Sequence, residues 1–278
     1  MNGGGVRTEG GRNLTWWQFL LVVLVYLAII QGLGRIIGAD VDSEDGWETA
    51  GNLVESSLIP IALSGVFAIG IATWLGWWQQ IIHEPLRTQR WVRIVPVALL
   101  LAAAIGTSWA NLLDQKAEFV LALVVLVLIV GFTEELMFRG IGVVTFRRMD
   151  LTEGRVALDS SVVFGAVHLS NALATGTSAI LQAIIVSFTG YMLYLTRRWA
   201  GVIWLAMPVH ASQDFLISSG QIGVDPALSP LSFVVFPTMI GLAILLWRRR
   251  HRINVELSPA AVLGPAAADT DVSAPSAS

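Results

Sequence analysis

Eight apolar stretches alternate with short polar segments along the chain. They cover residues 16–34, 53–78, 94–113, 119 onward, 156–174, 178–196, 199–219 and 231–247. Residues 119–130 carry no polar side chain at all. A helix needs about 20 mainly apolar residues to cross a bilayer. The pattern therefore predicts an all-α, polytopic membrane helix bundle of about eight transmembrane helices. The first stretch, opened by Trp16 and Trp17, is longer than a signal-peptide core. Gly38-Ala39-Asp40 is a poor cleavage site, so the spacing predicts a retained helix.

The polar segments are an acidic loop at 40–48, a basic loop at 83–93, a short turn at 114–118, a second basic loop at 146–155, a tight turn at Arg197 and Arg198, and a basic cap at 248–252. Residues 1–13 read as a disordered Gly-rich lead and 253–278 as a disordered Ala/Pro/Ser-rich tail. Between them, 14–252 form the membrane domain, with no internal repeat. Trp77, Trp78, Trp91 and Trp199 read as interfacial belt residues.

Composition agrees. Charged residues are 13% of the chain, about half the share in soluble domains, and mean hydropathy is +0.69. The absence of cysteine excludes disulfides, thiolate metal sites and a cysteine nucleophile. Net charge, at −3, decides little, but its distribution is one-sided. Of the 17 basic residues, 14 fall on the N-terminus, alternate loops and the cap; only Arg35 and Lys116 fall opposite, and Arg139 lies within a span. The bias predicts a multi-pass protein of the plasma membrane with both termini cytoplasmic. The bilayer is then a partner, and nucleic acid is not.

Charges inside apolar runs are costly and mark candidate sites. Glu134 and Glu135 end the polar-free run, and Arg139 lies four residues after Glu135, on the same helix face. Glu134 is about 100° round the helix and is left without that partner. His168 lies on the fifth stretch, with Phe164 four residues before it and Asn171 three after, on its face. His210 and Asp214 lie on the seventh, again four apart. Glu134 is 13 residues from Arg147, His168 13 from Arg155, and His210 12 from Arg198. At about 1.5 Å per residue, all three sit roughly 18–20 Å in from those arginines. They should therefore share one level, near or somewhat cytoplasmic of the bilayer middle. Taken singly, the glutamates read as a structural ion pair, His168 as a packed core residue and His210/Asp214 as a stabilising pair. Asp159 and Glu55 lie nearer helix ends and need no special role.

A glutamate and a histidine sharing a water can activate it by general base catalysis. A second histidine can stabilise the oxyanion on an attacked carbonyl. The chain has no His-Glu-x-x-His zinc motif, no Gly-x-Ser-x-Gly turn and no Gly-x-Gly-Asp aspartyl motif. These absences favour a glutamate-centred hydrolase.

Glu134-Glu135-x-x-x-Arg139, Phe164-x-x-x-His168 and His210-x-x-x-Asp214, in that order, resemble the three motifs of the CPBP family, the group of type II CAAX prenyl-proteases and bacteriocin-processing or Abi proteins. The resemblance covers about 118–215. It implies an all-helical membrane glutamic endopeptidase acting on a membrane-associated peptide or protein, with no metal or other cofactor in its proposed mechanism. Glu134 would be the general base, with His168 its partner on the water. His210 and the residue at Asp214 would form the oxyanion hole, and Arg139 would fix Glu135. One position departs: CAAX-type members usually carry asparagine where this chain has Asp214, though aspartate occurs among bacterial relatives. An aspartate there either orients His210 or, if protonated, donates as asparagine does. Two other readings stay open. The cluster could serve a non-catalytic scaffold, immunity protein or transporter, or it could hold a divalent ion in a metal-dependent membrane hydrolase.

Overall fold

The computed structural model describes residues 12–38, 47, 49–171, 176–222 and 229–253. Most of the expected lead, tail and acidic loop, and the last residues of the fifth stretch, lie outside the described residues.

Each apolar stretch contains one main helix: α1 (Trp16–Ile37), α2 (Ala50–Leu75), α3 (Ile94–Gly106), α4 (Ala117–Arg148), α5 (Glu153–Val167), α6 (Ser178–Ala200), α7 (Ala206–Ser219) and α8 (Ser232–Arg248). The fold is an all-α polytopic bundle. Among the described residues there is no strand, only an isolated antiparallel bridge between His83 and Val202. By length and composition α1, α2, α4 and α6 can each cross a membrane. The other four run 13 to 17 residues.

Local chemistry sets the ends. Thr15 and Gln18 form a reciprocal capping box that starts α1. The third stretch does not stay helical to residue 113 as expected. Thr107 turns extended, its hydroxyl donating back to Ala103 O at 2.7 Å, and the Ser108 amide donates instead to Ser219 Oγ at 2.8 Å. Hydroxyl side chains here offer the backbone partners outside the helix ladder. A short helix, Trp109–Leu113, follows.

The expected turn at Arg197 and Arg198 is corrected. Both arginines lie in the last turns of α6 and are buried, and the chain turns at Gly201, whose φ of 75° favours glycine. They can be buried because acidic residues meet them. Glu84 pairs with Arg147 at 2.9 Å and with Arg197 at 3.4 Å. Glu153 pairs with Arg147 at 2.5 Å and accepts a hydrogen bond from Tyr194 Oη. Arg198 donates from Nε to Leu86 O at 2.6 Å. The extended segment around Glu84 is stitched in by Glu84 N to Gly201 O at 3.0 Å and Gln89 N to Ile253 O at 2.8 Å. At this arginine-rich end of the bundle Arg147, Arg197 and Arg198 are therefore held in a network rather than in loops. Trp77 is also corrected: it is buried, donating to Arg12 O at 3.1 Å beneath the Arg148 guanidinium, and is not a belt residue.

Two packings position the site. α5 lies along α6, and α7 lies between α3 and α4. At the α4–α7 crossing, a Cβ on Gly131 would stand 2.5 Å from Met207 O and 3.0 Å from Ala211 N. Small residues let membrane helices approach closely, and Gly131 brings α7 against the turn that carries the glutamates.

Candidate active site

α4 is one continuous helix, but residues Glu135–Gly142 are wound as a π-helix. The wider turn lies directly on the Glu134-Glu135 pair. Such segments are often found at functional sites.

Glu135 and Arg139 are fully buried and pair at 2.9 Å, as the four-residue spacing predicts. The Arg139 guanidinium also stacks over the Phe164 ring, 3.8 Å from its centroid. Gly190 of α6 leaves room for this stack: a Cβ there would meet Arg139 Nη2 at 3.1 Å and Phe164 at 3.0 Å.

His210 is the hub. Its Nδ1 lies 2.9 Å from Glu135 Oε1. The carboxylate only accepts, so Nδ1 carries the proton. Its Nε2 faces two further carboxylates, Glu134 Oε2 at 3.6 Å and Asp214 Oδ2 at 3.5 Å. Adjacent glutamates on α4 thus address opposite nitrogens of one imidazole on α7. Glu135 Oε2 and Asp214 Oδ2 are buried without a hydrogen-bond partner within the protein.

His168 closes α5, where the helix tightens to a 3₁₀ turn. Its Nδ1 donates to Phe164 O at 2.8 Å, which leaves Nε2 as the acceptor. The Phe164 ring is edge-on to both His168, at 5.1 Å, and His210, at 5.5 Å. His168, His210 and Asp214 line one cavity of about 50 Å³, with apolar walls that include Leu99, Phe188, Met192 and Met239. Glu134 is not among the residues lining it. It joins the cluster through His210.

The structure therefore brings Glu134, Glu135, Arg139, His210 and Asp214 into direct contact, with His168 across Phe164. Sequence reasoning missed the second bond of Glu135, to His210. It also missed the π-helical turn, and Gly131 and Gly190 as packing residues. Glycines in otherwise bulky apolar helices were the available signal. Gly131→Val should separate α4 from α7. A displacement of about 1 Å at the site can cost about 10²-fold in rate, so the variant should elute as a folded species yet lose activity on that scale. Wild-type proteolysis by a folded Gly131→Val protein would show that the crossing does not set the geometry.

The cluster can hold and move protons between carboxylates and imidazoles in a mostly dry setting. Among the described residues no group of three or more histidine, aspartate or glutamate side chains is arranged to hold a metal ion. No curated protein and no solved structure matches the chain significantly. Residues 116–216 match the family model described as Type II CAAX prenyl endopeptidase Rce1-like. The matched segment contains every residue of the cluster, and it is the part of the chain that is similar to the CAAX protease family.

Proposed function

We propose that the protein is a glutamate-dependent intramembrane endopeptidase that hydrolyses a peptide bond of a membrane-associated protein or peptide. The family-model match over residues 116–216 supports an intramembrane protease of the CAAX type in general. The observation that carries the finer reading is the setting of His210, anchored at Nδ1 by Glu135 with Nε2 left towards Glu134 and Asp214.

In this reading Glu134 takes a proton from a water as its oxygen attacks the scissile carbonyl carbon. His168 Nε2 accepts from the same water and orients it. Protonated, His210 Nε2 donates to the oxyanion that forms, and Asp214 balances the imidazolium. When the C–N bond breaks, the proton held by Glu134 passes to the leaving amine. The 3.5 Å contact favours the orienting role for Asp214 over direct donation. Arg139 holds Glu135, and Glu135 holds His210.

The test is a comparison of protein N-termini in membranes from cells carrying wild type and His168→Ala. Termini present only with wild type identify the cut bond, and the purified protein should then cut that peptide in liposomes. Activity should persist in excess chelator. Loss with chelator and recovery with a divalent ion would replace this mechanism with a metal-assisted one. Identical termini in the two membranes would leave a non-catalytic partner.

The arginine-rich end supports a cytoplasmic assignment for that end, in a plasma membrane. Reporters fused after Arg93 and Arg155 should read cytoplasm, and one fused after Glu48 the far side. Reversed signals would invert the topology.

A further inference from the structure

A second cavity, of about 580 Å³, opens on the arginine-rich end, away from the catalytic cluster. It lies between the first turn of α5, the last turns of α6 and the end of α8. Its volume falls within the range of ligand pockets. Arg155, Arg198, Arg250 and His251 line it, against a single carboxylate, Glu153. That carboxylate is already engaged by Arg147 and Tyr194. Just outside the lining, Asp159 pairs with Arg155 at 2.8 Å, so three arginines face two carboxylates and the cavity is cationic by the margin of Arg250.

The rest of the wall is aromatic and aliphatic. Tyr191 and Tyr194 are near parallel with centroids 6.5 Å apart, and Tyr191 meets Trp247 edge-on at 5.4 Å. The Arg250 guanidinium sits 4.9 Å over the Trp247 ring. Leu158 and Leu195 complete the apolar side, and Leu158 is itself exposed. Tyrosine and tryptophan suit the membrane–water boundary, and arginine suits phosphate. A soluble anion needs the cations but not an exposed leucine and an aromatic wall beside them. A lipid presents both chemistries at once.

We propose that this cavity binds the phosphate-bearing headgroup of an anionic phospholipid from the leaflet at the arginine-rich end. Basic pockets between membrane helices are established sites for such headgroups. The phosphate lies among Arg155, Arg250 and His251, with Arg198 behind, and the upper acyl chain runs over Leu158. The inference needs only the membrane setting of the bundle and is independent of the proteolytic chemistry.

Full-length protein in nanodiscs of phosphatidylcholine, with or without phosphatidylglycerol, provides the test, with native mass spectrometry reading the lipids retained. Wild type should retain phosphatidylglycerol in preference. Each arginine near such a surface contributes about fivefold, so Arg155→Gln/Arg250→Gln should reduce the preference roughly twenty-five-fold. Leu158→Trp fills the mouth without removing a charge and should also reduce retention, whereas Arg250→Lys should keep most of it. Elution in phosphatidylcholine alone reports whether each variant is folded; if the double arginine variant is not, Leu158→Trp decides. Equal retention of the two lipids by wild type, or a preference unchanged in a folded cavity variant, overturns the proposal. Binding of inorganic phosphate with no lipid preference would make it a soluble-anion site and overturn the lipid assignment.

Discussion

Glu134→Gln should give a folded protein that leaves its substrate uncut. The Glu134 side chain is 13% exposed, and its closest charged partner, His210 Nε2, lies 3.6 Å away. That is too long for a strong hydrogen bond, so glutamine, of nearly the same shape, should change stability by less than about 1 kcal/mol. Proton abstraction is another matter. An amide cannot take a proton from water, and a positioned base typically contributes 10²–10⁴-fold. The measurement is the rate of substrate cleavage in liposomes beside the melting temperature of the same sample. Unchanged cleavage by Glu134→Gln would remove Glu134 as the base, whatever the fate of the other residues. Glu135→Gln should behave differently, because Glu135 is met by both Arg139 and His210. It should lower stability and activity together.

Arg139→Met should be the most destabilising single change in the cluster. Both partners of the Glu135–Arg139 pair have no exposed side-chain surface. Removing the arginine leaves buried Glu135 with His210 Nδ1 alone, and breaking a buried pair costs about 3–5 kcal/mol. The stack on Phe164 goes with it. The companion variant is Arg139→Met/Glu135→Leu, which removes both charges. Apolar replacement of a whole buried pair is often neutral for stability, so the double variant should recover much of the fold. It should still be inactive, because His210 then has nothing at Nδ1. A melting temperature for Arg139→Met close to that of wild type would show that His210 alone is enough to hold Glu135. An active double variant would show that Glu135 has no part in holding His210.

Charges in an apolar run are conspicuous, and that is why Glu135, Arg139, His210 and Asp214 could be singled out and paired by helical spacing. The common depth expected for Glu134, His168 and His210 rests on the nearly constant residue rise along a helix. The parts that escaped depend on distant partners. Arg197 and Arg198 look like a loop until Glu84 and the Leu86 carbonyl, more than 100 residues earlier, are placed against them. Trp77 looks interfacial until the Arg12 carbonyl is found to satisfy its N–H. The π-helical winding of 135–142 has no signature in side-chain pattern. Nor does four-residue spacing reveal that Glu135 serves two partners, Arg139 and His210, at once.

The ion network at the arginine-rich end has a consequence for biogenesis. In the finished protein Arg147 and Arg197 are held by Glu84 and Glu153. In the growing chain Glu84 emerges well before either arginine, and the network cannot close until α6 is complete. On the topology proposed above, Arg197 and Arg198 would meet the insertion machinery before the network closes, and would exert their orienting influence then. Only later are those charges neutralised as the bundle assembles. On that topology the same side chains would serve first as topogenic signals for the nascent helices and afterwards as the clasp of the mature bundle. A substitution at Glu84 should therefore spare membrane orientation while weakening the assembled state.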